Sequence, residues 1–255
     1  MPEQTISPQE NFAPKQDSLS PIGRVLDVFV APSKTFDAVK QRPGWWVPLL
    51  IGVAVGVVFA WTVVHTIGVP TLVDGIIHQS TSLDERVSGA TPEAAAAIRA
   101  AVAKQLTITL YLGPVLTLIV GLRVAAVLLA SANFIAGGRA TFSQMLGVWF
   151  YGTLPLTLFY VVAIVAIFAG LGGDQFNLQN PVGTNIGFYL AGGESPKWLV
   201  ALLSSVDIFA IWTAIVLTIG VSIVAGIKRG AAGAIVFGWW LLVVAIKVAA
   251  AVVGG

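Results

Sequence analysis

Five apolar stretches of bilayer-crossing length, residues 45–68, 106–136, 142–171, 198–226 and 231–253, constrain this chain more than any other feature. A membrane-spanning helix needs about 20 mostly apolar residues, because each adds ~1.5 Å of rise through a hydrocarbon core ~30 Å thick. All five stretches meet that length. The sequence therefore predicts an all-α, polytopic membrane protein, a five-transmembrane-helix bundle with amphipathic interfacial helices at its N-terminus. Composition agrees: only 10% of the residues are charged and mean hydropathy is +0.88, whereas a soluble domain carries about 25% charged residues.

Three regions follow. Residues 1–20 are rich in Pro, Gln, Ser and Glu, and are expected to form a disordered tail. Residues 21–44 are expected to form cytoplasmic amphipathic helices, and residues 45–255 the membrane bundle. No apolar run follows a basic segment within the first 44 residues, so no cleaved signal peptide is expected.

Charge sets an expected orientation. Lys15, Arg24, Lys34, Lys40, Arg42, Arg139, Lys228 and Arg229 fall on one side of the spans. The other side holds Arg86, Arg99, Lys104 and Lys197 among six acids. The positive-inside rule then places the N-terminus in the cytoplasm and, with five crossings, the C-terminus outside. Trp45, Trp46, Trp198, Trp239 and Trp240 lie near span ends, where indole rings favour the headgroup level.

Outside the bilayer, residues 21–43 read as two short amphipathic helices broken at Pro32, the second capped by Ser33 and ended by Pro43. Such a segment is either a plain juxtamembrane anchor or a partner-binding surface. In the first outer loop, Thr91, Pro92 and Glu93 mark the start of an Ala-rich helix over 92–105. Residues 172–197, rich in Gly and Asn, read as a plain connection or a short re-entrant turn.

Three ionisable residues fall inside spans: Arg123, Asp207 and Lys247. Each is costly there and should pair, face the bundle or snorkel. An antiparallel hairpin of spans four and five would bring Asp207 and Lys247 together as an ion pair. The alternative is a snorkelling Lys247, with Asp207 bonded to Ser204, Ser205 or Trp212. Pro114 and Pro155 should kink spans two and three, and Gly52 and Gly56 form a small-xxx-small pair on span one.

No catalytic constellation is visible. The two histidines, His65 and His78, stand apart, cysteine is absent, and only one Asp lies inside a span. No G-x-S-x-G, H-E-x-x-H or Walker sequence occurs. Neither enzymatic activity nor a cofactor or metal is expected. Basic residues form no stripe with interleaved aromatics, so no nucleic-acid partner is expected either.

Three patterns carry a resemblance. The first is Phe29-x-x-Pro32-Ser33-Lys34-Thr35-Phe36, followed by Arg42-Pro43-x-Trp45-Trp46-x-Pro48. The second is Gly137-Gly138-x-x-Thr141-Phe142-x-Gln144-x-Leu146, with Tyr151-x-x-Leu154-Pro155. The third is Leu203-x-x-Val206-Asp207-Ile208-Phe209-x-Ile211-Trp212, then Gly220 and Lys228. Their order and spacing over residues 24–250 resemble bacterial Yip1-domain proteins.

The resemblance implies a five-span bundle with a cytoplasmic N-terminus and a non-enzymatic role. It also points to the bacterial inner membrane, with the C-terminus periplasmic or extracellular. The expected function is that of an accessory subunit of an envelope membrane complex, an ABC-type exporter, with a homo-oligomer left open. The alternative is a small transporter or channel that uses Asp207, Lys247 and Arg123. Phe29, Pro32, Phe36, Arg42, Pro43, Trp45, Pro155, Phe209 and Trp212 are the expected family-motif and interaction positions.

Overall fold

Ser20 and two prolines decide how the described chain begins. The Ser20 hydroxyl accepts from the Gly23 amide at 3.0 Å and caps α1 (Pro21–Val30); Pro32 opens α2 (Pro32–Gln41) two residues after α1 ends. The computed structural model describes residues 20–170, 176–191 and 193–253. The expected tail, Ser20 apart, lies outside the described residues. The two short helices form as expected, but the cap of α2 is Ala31 rather than Ser33 and makes no side-chain bond. Pro32 explains the shift: it lacks the N–H that a first-turn cap would serve, and its φ already suits a helix.

The membrane helices follow. α3 (Trp46–Thr62) runs into a π-helical turn, Val63–Ile67. Three helices then cover the first connecting region: α4 (Val69–Gln79), α5 (Thr81–Ser88) and α6 (Pro92–Tyr111). As the sequence predicts, Thr91 caps α6, accepting from the Ala94 amide at 3.4 Å. α7 (Gly113–Ala130) ends in a second π turn, Ser131–Ile135. α8 (Phe142–Gly152) and α9 (Leu154–Phe168) follow, then α10 (Ile186–Leu190), α11 (Lys197–Ser205), α12 (Ile208–Ala225) and α13 (Arg229–Val253). No strand occurs among the described residues.

Five helical stretches are long and apolar enough to cross a bilayer: Trp46–Ile67, Gly113–Ile135, Phe142–Phe168, Ile208–Ala225 and Arg229–Val253. Three of the expected spans prove to be divided. Residues 106–136 split at Leu112, where Pro114 in the first turn of α7 cannot donate back along α6. Residues 198–226 split at Val206–Asp207, between α11 and α12. Pro155 similarly separates α8 from α9 within span three.

Burial ranks the spans. Half of the α12 window is buried but only 11% of the α13 window, so α12 is the central helix and α13 a peripheral one. The main core joins Val28, Phe36 and Val39 of the N-terminal helices to Met145, Val148 and Tyr151 of α8 and Val216, Leu217 and Val221 of α12. A second core gathers Phe59 and Val63 with Leu72, Ile77, Leu106 and Ile167. Glycine sets the closeness of the first core: a Cβ at Gly220 would sit 2.8 Å from the Phe36 ring, and one at Gly152 would sit 2.4 Å from Leu217. Gly52 and Gly56 do not act this way. A Cβ at Gly52 would meet Thr157 of α9 at an ordinary 3.8 Å and one at Gly56 nothing within 4 Å, so neither glycine is required for a close approach among the described residues.

Candidate functional site

The break in span four brings together a buried polar network among the described residues. Asp207 is 8% exposed and serves as the N-cap of α12. One carboxylate oxygen accepts from the Phe209 and Ala210 amides at 2.8 and 3.3 Å. The other accepts from Asn185 Nδ2 at 3.1 Å and from the Thr184 hydroxyl. The helix N-terminus adds a favourable dipole for the negative charge.

Asn185 and Asn180 hold the network closed. Asn185 Nδ2 donates to Asn180 Oδ1 at 2.8 Å, and Asn180 Nδ2 returns the bond at 3.2 Å while reaching Ser204 Oγ at 3.4 Å. Asn185 Oδ1 also caps α10, accepting from the Phe188 amide at 2.9 Å. Asn180 and Asn185 are each 8% exposed, so these are buried polar groups with their hydrogen bonds made. Gly187 lets α10 approach α11 closely: a Cβ there would be 2.4 Å from the Ser204 amide nitrogen.

This arrangement replaces the expected Asp207–Lys247 ion pair, which is absent. Had span four been continuous, Asp207 would have needed a cation; as an N-cap it is served by four neutral donors. Lys247 lies exposed on α13 and Arg123 exposed on α7, and neither forms an ion pair among the described residues. The three intramembrane ionisable residues are thus not brought together. Asn180, Thr184 and Asn185 are not among the expected site residues, since the sequence of 172–197 suggests only a plain connection or a short re-entrant turn. The signal was there: side-chain amides in a short loop just before a span with an unpaired acid.

The family-motif positions meet around the N-terminal helices. The Phe29 ring packs edge-on against Trp212 at 5.7 Å, and Trp212 stacks with Phe209 at 6.4 Å. Phe209 meets Phe159 at 5.6 Å. Phe36 is fully buried against Gly220. Trp45 stacks with Phe150 at 6.1 Å. Pro155 is buried at the start of α9, and the Pro43 carbonyl lies against Gly147. Buried Arg24 clasps both helices: its Nη1 donates to the Arg42 carbonyl at 2.5 Å, and its own carbonyl accepts from the Thr35 hydroxyl at 3.2 Å.

The chain matches the Yip1 domain model over residues 26–253. It belongs to the Yip1 family. No curated protein and no solved structure matches it. Membership in this family of multi-pass membrane proteins, together with five bilayer-length helices, makes a lipid bilayer its surroundings.

Among the described residues no group of three or more metal-ligating side chains is present. The ion pairs among the described residues lie elsewhere: His78 with Asp84 at 3.0 Å, Asp74 with Arg99, and Asp27 with Lys34 at 3.3 Å. An open cleft of about 270 Å³ lies beside the Asp74–Arg99 pair.

Proposed function

We propose that this Yip1-family chain is a non-catalytic accessory subunit that docks to another complex in the bacterial inner membrane, an ABC-type exporter. The observation that carries this reading is the two-sided character of α2. Thr35, Phe36 and Val39 are fully buried in the bundle, while Lys34, Asp37 and Lys40 point outward and exposed. A charged outer face fixed on a rigid, buried helix suits recognition by a partner, since charge complementarity gives specificity and register.

The basic excess on the α1–α2 side supports a cytoplasmic N-terminus and a C-terminus outside. In that orientation the Lys40–Gln41 end of α2 would meet the partner at the cytoplasmic membrane surface, and its Lys34–Asp37 face would meet a part of the partner within the membrane. The organisation proposed is a short tail, a docking hairpin and the membrane bundle over residues 45–255. The closed hydrogen-bonding of Asp207 supports a structural role for that acid in preference to a place on a solute pathway.

Affinity purification of the full chain in mild detergent tests the proposal. Stoichiometric recovery of an ABC-type exporter is the expected result, with recovery falling when Lys34→Glu and Asp37→Lys reverse the outer face. Solute flux in liposomes containing the purified chain alone would overturn it.

A further inference from the structure

The outer face of α1 differs from that of α2. Ile22, Leu26 and Val30 are 71%, 66% and 82% exposed, and their spacing of four puts them in one stripe. The opposite side of α1 carries buried Arg24 and Val28. Where this apolar stripe sits depends on how deep the hairpin lies.

Two helices serve as rulers. Along α12, Lys40 Nζ donates to the Ile223 carbonyl at 3.0 Å, Phe36 lies against Gly220, and Phe29 reaches Trp212. Along α8, Gln144 Nε2 donates to the Lys40 carbonyl at 2.7 Å and Val39 lies against Gly147. Both show α2 entering the bundle with Gln41 at the surface end and Pro32 at the inner end. From the C-terminal end of α12 to Trp212 is about 20 Å at ~1.5 Å per residue. The whole of α12 spans about 27 Å, close to the ~30 Å hydrocarbon thickness. The turn at Ala31 therefore lies at hydrocarbon depth.

We propose that α1–α2 is a re-entrant hairpin, with its open end at the membrane surface and Ile22, Leu26 and Val30 against lipid acyl chains. α1 packs beside α3 and α9, whose outward residues Leu50, Val57, Leu158 and Val161 are also exposed, so the stripe extends their lipid-facing surface. The turn suits that depth. The Ala31 amide donates to the Asp27 carbonyl at 2.6 Å, and its carbonyl accepts from the Lys34 amide at 3.0 Å, so no backbone group of Ala31 is left to water. Asp27 and Lys34, nearest the turn, pair at 3.3 Å, while exposed Asp37 and Lys40 lie farther toward the surface end, where Lys40 reaches the Ile223 carbonyl. The depth of the hairpin does not depend on which partner the protein docks to.

The chain has no cysteine, so single Leu26→Cys, Val30→Cys and Gln41→Cys variants can be labelled cleanly. Each is placed in phosphatidylcholine nanodiscs, where both faces are open to a membrane-impermeant maleimide. Because the thiolate is the reactive form and hydrocarbon suppresses it, labelling at 26 and 30 is expected to be slower than at 41 by about tenfold or more. In denaturing detergent all three should react alike. A bimane fluorophore attached at 26 or 30 should then be quenched by brominated acyl chains in the same discs. Rapid labelling of Val30→Cys in the discs would overturn the re-entrant placement. Protection without bromolipid quenching would show a protein surface, such as a second copy of this chain, in place of lipid, and would overturn the occupant.

Discussion

Replacing Asp207 with Ala removes two kinds of interaction at once. The N-cap bonds to Phe209 and Ala210 are lost, a change that costs about 1 kcal/mol in typical helices. In addition, Asn185 Nδ2 and the Thr184 hydroxyl lose an acceptor in a buried setting, at about 1–3 kcal/mol for each donor left unpaired. Asn185 keeps its bond to Asn180, and the Thr184 hydroxyl can rotate, so the lower part of each range applies. The total is about 3–4 kcal/mol. At roughly 2–4 °C per kcal/mol for a chain of this size, the unfolding midpoint should fall by roughly 10 °C. Asp207→Asn should cost less, because Asn is as good a cap, but its new NH₂ would face the Asn185 and Thr184 donors. Thermal unfolding in mild detergent, followed by near-ultraviolet circular dichroism, reads all three chains. Lys247→Met is the decisive companion. Exposed and unpaired, it should shift stability by no more than about 0.5 kcal/mol, whereas breaking a buried ion pair would cost about 3–5 kcal/mol. An Asp207→Ala protein as stable as the parent, or a Lys247→Met protein as damaged as Asp207→Ala, would refute the network.

Other changes test neighbouring claims. Gly187→Ala drives a methyl into Ser204 and should destabilise the α10–α11 contact by about 1–3 kcal/mol, seen as faster protease cleavage within residues 176–196. Arg24→Met keeps most of the buried stem but drops the bond to the Arg42 carbonyl; a loss of about 1.5–3 kcal/mol should appear as faster amide exchange through α2. Thr91→Ala removes the α6 cap and should cost about 1 kcal/mol, with fraying confined to exchange in the first turn of that helix.

The crossings were legible in the sequence because lipid enforces them: a backbone in hydrocarbon must satisfy itself, and about 20 apolar residues are needed to do so. The Thr91 cap was legible for a similarly local reason. The break at Val206–Asp207 left only a short local sign, the run Ser204-Ser205-Val206-Asp207 with an acid suited to an N-cap, inside an otherwise apolar stretch. The other partners of the Asp207 carboxylate, Thr184 and Asn185, lie more than 20 residues away. The expected Asp207–Lys247 pair failed because that pairing assumed a continuous helix. The burial of α2 was equally hidden: it depends on Gly147 and Gly220, far along the chain, leaving room for Val39 and Phe36.

The contact between Lys40 and Ile223 joins positions 183 residues apart. On a ribosome adding about 5–20 residues per second, the segment made first would wait roughly 10–40 s for the helix it rests on. During that interval its apolar sides can rest on α3, α8 and α9, which are made earlier, but lack the α12 surface against Gly220 and Val221. Assembly of this protein therefore has a built-in order, in which the first helices of the polypeptide complete their packing only once the fourth span has been made.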